Sequence, residues 1–305
     1  MDKETLVREI ARLKKEKNVL LLAHYYQIPE IQDIADFVGD SLALAQQAKH
    51  TTADIILFAG VHFMAETAKI LNPGKKVLIP DVTAGCSLAD ACKAEDLKAM
   101  KAEYPDHMVL SYVNCSAEVK CLSDLICTSG NALKLVNALP ADQKILFVPD
   151  RNLGGYINRM TGRNMRLWPG CCEVHDSLEA GQVLQLKKTY PEAKLIAHPE
   201  CSPSVLEVAD FVGSTAAMLD FIKKDDAKAY VVATETGILH AMTALCPDKK
   251  FYIAGMDNRC DCREMKKNTL DKIYRCLLDE SPEIILSDEV IERAAKPIEA
   301  MLRMS

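Results

Sequence analysis

The sequence predicts an α/β protein made of three similar α/β/α sandwich domains, each with a short parallel sheet, around a pseudo-threefold axis. The first observation is a repeat, because residues 35–39 (ADFVG) recur letter for letter at 209–213, two copies of roughly 87 residues further on. The second is the alternation of apolar strand-like runs with helical patterns, which is typical of parallel sheets covered on both faces. Polar residues follow these runs, and ligands bind beyond the carboxyl ends of parallel strands.

Each domain is predicted to begin with a helix and a first strand, and polar residues follow that strand. The first strands are expected at 19–23, 108–111 and 194–197. The residues that follow them are His24, Tyr112 and His198. A second short strand then leads to a hydroxyl residue that is expected to open a helix, namely Ser41, Ser129 and Thr215. Both sets keep the repeat interval, so we expect all six side chains near the axis.

The remaining strands and the tail give the domain boundaries. Third strands are predicted at 55–59, 145–148 and 230–233, and fourth strands at 76–79, 165–168 and 251–254. The tail is expected to form a helix at 265–278, a strand at 283–286 and a last helix, all packed against the first domain. The predicted domains are 1–84 with the tail 265–305, then 85–170, and then 171–264.

The bulk properties exclude several classes of protein. A net charge of -6 without a clustered basic face argues against nucleic-acid binding. No apolar run approaches the roughly 20 residues that span a bilayer, and the N-terminus lacks the pattern of a signal peptide. We therefore expect a cytoplasmic protein with no membrane partner. In that reducing compartment its 12 cysteines are expected to be thiols or metal ligands rather than disulfides.

Cysteine occurs in the loop after the fourth strand of every domain. The candidates are Cys86, then Cys171 or Cys172, and then Cys260 or Cys262. One thiolate from each domain suits an iron-sulfur cluster on the axis, and three would leave one iron of a [4Fe-4S] cluster open to act as a Lewis acid. The chain has no Cys-x-x-Cys pair, which argues against a zinc ribbon or a thioredoxin-like motif. Spacing alone does not choose between Cys171 and Cys172, or between Cys260 and Cys262. A disulfide within either of these pairs under oxidation also stays a hypothesis.

Nine short strings of polar and small residues are spread over nearly the whole chain. They are AHYYQIP at 23–29, GDSL at 39–42, FMAE at 63–66, YVN at 112–114, CTS at 127–129, PDRNLG at 149–154, HPEC at 198–201, GST at 213–215 and CREMKKN at 262–268. In these strings and in their order, the sequence resembles the quinolinate synthase family. One such string is a weak signal, but nine in order make a chance match very unlikely.

The resemblance implies a fold, a cofactor and a reaction. Family members have three α/β/α domains around a pseudo-threefold axis and one [4Fe-4S] cluster on three cysteines. They condense iminoaspartate with dihydroxyacetone phosphate, with loss of phosphate and two waters, to make quinolinate for NAD synthesis. By motif, the resemblance selects Cys86, Cys172 and Cys262 as the ligands. Cys115, Cys171 and Cys260 have no counterpart in the pattern, so their redox behaviour stays open.

The resemblance also implies the site residues. Substrate contacts are expected from His24, Ser41, Tyr112, Asn114, Ser129, His198, Glu200 and Thr215. Catalytic roles are expected for Glu200, Tyr26, Tyr112 and His198. We interpret Glu200 as the general base, with a pKa that burial near anions raises. The three hydroxyl residues are expected to cap helices whose N-termini receive carboxylate or phosphate.

Two other functions fit the same cysteine pattern. One is another [4Fe-4S] Lewis-acid hydro-lyase, which would share the iron site but not the phosphate contacts. The other is a non-enzymatic iron-sulfur sensor, which would have no use for an anion pocket. For the quinolinate synthase hypothesis, an L-aspartate oxidase or dehydrogenase is a possible transient partner that would supply unstable iminoaspartate.

Overall fold

The protein is described here by a computed structural model, which covers residues 1–255 and 260–305. The first part of the predicted third cysteine loop, including Asn258, lies outside these residues. The chain forms three sheet-and-helix units in sequence, and the same series of elements recurs in each. Every predicted strand of the three units is present to within two residues of its expected bounds.

The first unit alternates four helices with four strands. Its elements are α1 (Lys3–Glu16), β1 (Val19–His24), α2 (Pro29–Ile34), β2 (Phe37–Gly39), α3 (Ser41–His50), β3 (Ile55–Ala59), α4 (His62–Leu71) and β4 (Lys76–Leu78). Helix α1 begins where the side chain of Asp2 accepts a hydrogen bond from the amide of Thr5, which satisfies a free N–H of the first turn. All five residues of β3 are buried, as expected for a central parallel strand.

The second unit repeats this series after one extra turn of helix. Its elements are α5 (Ser87–Asp90), α6 (Ala94–Glu103), β5 (Met108–Tyr112), α7 (Ala117–Lys120), β6 (Leu125–Cys127), α8 (Ala132–Ala138), β7 (Ile145–Val148), α9 (Arg151–Thr161) and β8 (Arg166–Leu167). Helix α9 begins at the side chain of Asp150, which accepts from the amide of Leu153, and ends at Gly162 in the left-handed region.

The third unit has the same plan as the second. Its elements are α10 (Glu173–Asp176), α11 (Ala180–Thr189), β9 (Lys194–Ala197), α12 (Pro203–Leu206), β10 (Phe211–Val212), α13 (Thr215–Lys224), β11 (Ala229–Ala233), α14 (Ile238–Leu245) and β12 (Lys250–Ile253). The central strand β11 is buried along its whole length.

The three sheets have one topology. Their strand orders are β2-β1-β3-β4, β6-β5-β7-β8 and β10-β9-β11-β12, and all neighbouring strands are parallel. The predicted fold class, three similar α/β/α units, is therefore confirmed. Because the strands of each sheet are parallel, their carboxyl ends share one edge, where polar residues can gather.

The tail differs from its prediction in two places. The helix expected at 265–278 is a short 3-10 helix (Met265–Lys267) followed by α15 (Leu270–Asp279), because Thr269 caps α15 and starts a new helix. The strand expected at 283–286 is not formed. That segment makes only an antiparallel bridge from Glu283 to Leu78 beside β4.

The two tail helices pack on different units. Helix α15 contacts α1 of the first unit, whereas the last helix, α16 (Asp288–Met304), contacts β6 and α7 of the second unit as well as α4. The apolar core continues from the first unit through the second into α16. None of the described helices combines the length and apolar character needed to cross a membrane.

Candidate active site with three cavity cysteines

One cavity lies where the three units meet, and it contains about 660 Å³ of space free of protein atoms, including its opening. All the residues predicted for the site line it: His24, Tyr26, Ser41, Cys86, Tyr112, Asn114, Ser129, Cys172, His198, Glu200, Thr215 and Cys262. Each unit contributes at least one first-strand end, one hydroxyl residue and one cysteine. The repeat therefore brings these twelve side chains together, although their chemical roles stay predictions.

The three cysteines are presented in the same way. A backbone amide lies near each sulfur and favours its thiolate form, that of Ala89 for Cys86, that of His175 for Cys172 and that of Met265 for Cys262. The amide lies three residues after the cysteine in all three cases. Cys86 is also near enough to the other two for their charges to interact. All three cysteines line the same cavity.

Burial raises the pKa of Cys86 to about 12 and the pKa of Cys262 to about 11, and it holds the pKa of Cys172 well above its usual range. Thiolates in such a place need a bound cation, and the amides directed at sulfur stabilise the negative charge. Three partly buried thiols that line one cavity, each with a backbone N–H near its sulfur, therefore fit a metal–sulfur cofactor. All twelve cysteines are free of disulfide bonds.

The neighbouring cysteines are placed differently. The Sγ of Cys171 contacts Asp176 at 3.5 Å, and Cys171 does not line the cavity. Cys260 is 1% exposed in the core of the third unit. Cys115 is likewise buried in an apolar cluster of the second unit. The redox roles of these three cysteines stay hypotheses.

A carboxylate holds the backbone beside each cavity cysteine. Asp150 accepts from the amide of Cys172 at 3.2 Å, and Glu235 accepts from the amide of Cys262 at 3.1 Å. Glu264 accepts from the amide of Gly85, which precedes Cys86, at 2.6 Å. The sequence interpretation missed all three carboxylates. Asp150 and Glu235 each lie two residues beyond a third strand, so the same repeat could have revealed them.

Glu200 is the centre of a hydrogen-bonded group. The hydroxyl of Tyr112 donates to its Oε1 at 2.5 Å, and Nδ1 of His175 lies 2.8 Å from its Oε2. Nδ1 of His175 also lies 3.2 Å from the Sγ of Cys172. Within the described residues, Cys172, His175 and Glu200 also form a set whose possible ligand atoms lie within 4.8 Å of one another, as a metal ion would require.

The electrostatics of Glu200 correct one expectation. Burial raises the pKa of a carboxyl, and Glu200 is 2% exposed, but nearby His175 and His198 and the hydrogen bonds from His175 and Tyr112 lower the pKa of Glu200 overall. The predicted upward shift was therefore wrong. Glu200 stays ionised because the electrostatic attraction of His175 and His198, together with the hydrogen bonds from His175 and Tyr112, outweighs the cost of burial.

A second chain of hydrogen bonds reaches the other tyrosine. The hydroxyl of Tyr26 lies 2.7 Å from the hydroxyl of Thr234, which lies 2.8 Å from Nε2 of His175. Tyr26, Thr234, His175, Glu200 and Tyr112 thus form one continuous chain across the three units. The sequence interpretation gave no role to His175 or Thr234. The signals were present, since His175 lies three residues after Cys172 and Thr234 directly follows β11.

The two strand-end histidines are neutral donors. Burial lowers the pKa of His24 to about 3 and has the same effect on the pKa of His198. Nδ1 of His24 accepts from the amide of Tyr26 at 3.1 Å, so its ring hydrogen is on Nε2. Nε2 of His198 lies 3.2 Å from the hydroxyl of Ser129. Both Nε2 atoms can therefore donate to a substrate oxygen.

The three hydroxyl residues do not cap helices, which corrects their predicted role. Asp40 and Ser214 are the caps of α3 and α13, so Ser41 and Thr215 are the first residues inside these helices. Ser129 lies three residues before α8 and opens no helix, because Asn131 occupies the cap position. The hydroxyls of Ser41 and Thr215 nevertheless lie at helix N-termini, which favour anions.

One further atom points to a ligand. Oδ1 of Asn114 is buried and has no hydrogen-bond partner among the described residues, although Asn114 lines the cavity. A buried amide oxygen without a partner destabilises a protein, which favours its use by a bound molecule.

The fold and the site together define a class of protein: an α/β enzyme of three repeated units whose active-site cavity combines three cysteine thiols with tyrosine, histidine and carboxylate groups. Comparison with known proteins gives the family. The family described as quinolinate synthetase A protein matches residues 8–303. The chain belongs to this family, and the sequence prediction of it is confirmed.

Similar proteins cover the chain almost completely. A quinolinate synthase of Microcystis aeruginosa is 55% identical over 305 residues, which is 99% of this chain and 96% of that protein. A quinolinate synthase of Thermosynechococcus vestitus is 55% identical over 98% of this chain and 95% of its own length. One from a Synechocystis species is 54% identical, with the same coverage of both chains.

Proposed function

We propose that this chain makes quinolinate for NAD synthesis by condensing iminoaspartate with dihydroxyacetone phosphate. One molecule of each gives one quinolinate, one phosphate and two waters, which balances without an oxidant or reductant. The observation that carries the proposal is the cavity in which three partly buried thiols meet tyrosine, histidine, serine and glutamate side chains from three units. A sensor would need the thiols but not the other groups.

The cofactor of this proposal is one [4Fe-4S] cluster on Cys86, Cys172 and Cys262. Its support is the set of three cavity cysteines, each with a backbone N–H near its sulfur. When bound on three ligands, such a cluster supplies a Lewis acid for the loss of hydroxyl groups. Asp150, Glu235 and Glu264 would hold the three cysteine segments in register for it.

The two substrates carry carboxylates and a phosphate, for which the cavity offers neutral and dipolar donors. Nε2–H of His24 and of His198 can donate to carboxylate oxygens without adding a charge. Ser41 and Thr215 combine hydroxyls with the N-termini of α3 and α13, each ten residues long. Asn114 and Ser129 complete the contacts that we assign to the substrates.

Proton transfer is assigned to Glu200, because enolisation and two dehydrations each move protons. An ionised carboxylate between Tyr112 and His175 can take a proton from bound substrate and return it. Tyr112 and Tyr26 would hold the carbonyl and hydroxyl groups of dihydroxyacetone phosphate, and His198 would orient the reacting carbon chain. Burial of the whole group keeps bulk water from the reactive intermediate.

We also propose where and how the chain works. The domains would be 1–84 with 265–305, then 85–170 and 171–264, in agreement with the three sheets. A cytoplasmic location suits a chain that needs its thiols reduced. A transient L-aspartate oxidase or dehydrogenase partner would supply iminoaspartate, because this imine hydrolyses in water.

The deciding experiment is an anaerobic assay of the purified, iron-loaded protein with iminoaspartate and dihydroxyacetone phosphate. We expect quinolinate and phosphate in equal amounts. Omission of dihydroxyacetone phosphate should abolish both products. If neither product forms while a hydroxy acid is dehydrated, the chain is another hydro-lyase; if the iron is bound but no reaction occurs, the sensor hypothesis is favoured.

A further inference from the structure

Three repeat-equivalent residues lie immediately before the hydroxyl residues of the cavity. They are Asp40, Thr128 and Ser214, and each follows the second strand of its unit. Asp40 and Thr128 line the cavity. These residues are not among those predicted for the site. Because the three residues occupy the same position of the repeat, their side-chain hydrogen bonds can be compared directly. A difference between these bonds reflects a difference in the helix that follows.

Asp40 and Ser214 use their side chains to cap helices. Oδ1 of Asp40 accepts from the amide of Ala43 at 2.9 Å, and the hydroxyl of Ser214 accepts from the amide of Ala217 at 3.3 Å. Such bonds satisfy free N–H groups of the first helical turn. Capping is a sufficient structural reason for a polar residue at these two places.

Thr128 has no such reason, because the helix that follows it starts later. Helix α8 begins at Ala132, and the side chain of Asn131 accepts from the backbone amide of Thr128 at 2.7 Å. The hydroxyl of Thr128 therefore caps nothing. Thr128 is 2% exposed, and its Oγ1 has no hydrogen-bond partner in the part of the chain that the structure describes.

Polar atoms from all three units converge beside Gly130. A Cβ atom placed on Gly130 would lie 3.4 Å from the hydroxyl of Ser214, 3.6 Å from that of Thr128 and 3.7 Å from Oδ2 of Asp40. Because glycine has no side chain, no Cβ atom lies between these polar groups, of which Asp40 and Thr128 line the cavity. A carboxylate only accepts hydrogen bonds when ionised, whereas a threonine hydroxyl donates and accepts.

The chemistry of this place selects its ligand. A phosphate or carboxylate would face the Asp40 carboxylate, which disfavours an anion. A cation would face the N-termini of α3 and α13, whose dipoles disfavour positive charge. A neutral alcohol avoids both penalties, because it can donate to Asp40 and accept from Thr128.

We propose that Thr128 and Asp40 form a hydroxyl-binding subsite of the cavity, which takes the alcohol group of the three-carbon phosphate substrate. This inference rests on the proposed function. An unpaired buried hydroxyl lowers the stability of the free protein, so valine would serve the fold at least as well. In the complex, the bound substrate completes the hydrogen bond of Thr128. The free protein is less stable because that bond is missing, and such a loss of stability is common at binding sites.

The test compares two ligands on the iron-loaded protein by calorimetry. Dihydroxyacetone phosphate carries the alcohol, and hydroxyacetone phosphate lacks it. For the unaltered protein we expect dihydroxyacetone phosphate to bind about a hundredfold more tightly, the effect of two hydrogen bonds. In Thr128→Val this preference should fall to about tenfold, because only the hydrogen bond to Asp40 remains, and Thr128→Ser should restore the full difference. The matched control is Thr67→Val, which should keep the full difference.

Thermal unfolding of the ligand-free protein supplies a second measurement. Thr67 is also buried, but its hydroxyl donates to the carbonyl of Phe63 at 2.8 Å. We therefore expect Thr67→Val to lower the melting temperature and Thr128→Val to leave it unchanged or raise it. A lower melting temperature for Thr128→Val, or an undiminished preference for the alcohol, would overturn the subsite.

The outcomes also separate this inference from the proposed function. If the unaltered protein binds both phosphates equally and makes quinolinate, the subsite is wrong and the function stands. If it binds neither phosphate and makes no quinolinate, the proposed function fails and the subsite fails with it.

Discussion

Glu200 receives hydrogen bonds from two units, since Tyr112 lies at the end of β5 and His175 lies in α10. At this position a glutamine has the same shape and can still accept from Tyr112, but it cannot take a proton. Glu200→Gln should therefore keep its iron and its substrate affinity while kcat falls by about 10²–10⁴, the usual contribution of a general base.

Iron content, substrate affinity and kcat are measured on the same preparation. The control is Glu207→Gln, since Glu207 is an exposed residue that pairs with Arg159 at the long distance of 3.8 Å. It should behave like the unaltered protein. Unimpaired turnover in Glu200→Gln would remove Glu200 from the role of base.

The choice between adjacent cysteines is a second question at this scale. Cys172 faces the cavity and Cys171 faces Asp176. We expect Cys172→Ala to lose its iron and all activity, while Cys171→Ala keeps both. The same contrast is expected between Cys262→Ala and Cys260→Ala, and Cys86→Ala should resemble Cys172→Ala.

The measurement is iron per chain after purification without oxygen, together with the visible absorption of the cofactor. Unaltered protein treated with a chelator should match Cys172→Ala. Full iron in Cys172→Ala with loss in Cys171→Ala would reverse the assignment.

A buried ion pair connects the third cysteine to Tyr26. Nζ of Lys266 lies 2.8 Å from Oε1 of Glu235 and donates to the carbonyl of Tyr26 at 2.6 Å. The Glu235 side chain is 1% exposed, so the loss of its partner leaves a buried charge. Lys266→Met should lower stability by about 3 kcal/mol, the low end for buried pairs because the lysine is partly exposed.

Denaturant unfolding of Lys266→Met measures this effect. Lys76→Met is the matched control, because Lys76 pairs with Glu280 at the surface, where such pairs contribute about 1 kcal/mol or less. Equal losses in the free energy of unfolding would show that the Lys266–Glu235 pair contributes no more to stability than the surface pair.

At the scale of elements, helix α9 shows how a sequence detail controls packing. It contains two adjacent glycines, of which Gly154 faces the sheet and Gly155 does not. A Cβ on Gly154 would lie 2.6 Å from a methyl of Leu167 and 2.7 Å from the buried ring of Phe147. A Cβ on Gly155 would meet nothing within 4 Å. The close approach of α9 to β7 and β8 thus depends on one glycine.

Alanine substitutions test this difference within a single helix. Gly154→Ala should lower the free energy of unfolding by about 1–3 kcal/mol through overpacking. Gly155→Ala should raise it by up to about 1 kcal/mol, because alanine favours a helix over glycine. Both are measured by denaturant unfolding, and effects of the same sign would contradict the assigned faces.

Several elements followed from the sequence, and others did not. The apolar runs of β3 and β11 predicted central strands because burial on both faces leaves a continuous apolar pattern. Ser129 did not open a helix because Asn131 competes for the cap of α8. The segment at 283–286 failed to form a strand because one bridge to Leu78 is all that the edge of the first sheet provides.

For the whole molecule, the contact between the first and third units determines the position of Tyr26. The side-chain amide of Gln32 donates to the carbonyls of Gly237 and Gln27 at 2.8 and 2.9 Å, so it bonds the first unit to the third. A Cβ on Gly237 would lie 2.7 Å from the carbonyl carbon of Tyr26. Backbone atoms cannot rotate away as a side chain can, so the two units would have to separate.

Gly237→Ala should therefore lower activity at least tenfold and stability by about 1–3 kcal/mol, while the protein stays folded. Quinolinate formation and melting temperature are the measurements. Gly181→Ala, in an open position of α11, is the control and should keep full activity, with a melting temperature that is unchanged or raised. A fully active Gly237→Ala would mean that the fit between these units does not limit the site.

The repeat in the sequence determined the three units, their first-strand ends and their hydroxyl residues, and the family resemblance selected the rest of the twelve predicted cavity residues. The information of the repeat is periodic, since the same strands and motifs recur along the chain and parallel strands direct their ends to one edge. Only the tertiary structure decided which carboxylates hold the cysteine segments, how His175 and Thr234 link the two tyrosines, and that the hydroxyl of Thr128 is free. These features depend on distances between residues from different units, and pairwise distances of this kind leave no periodic signal in a single sequence.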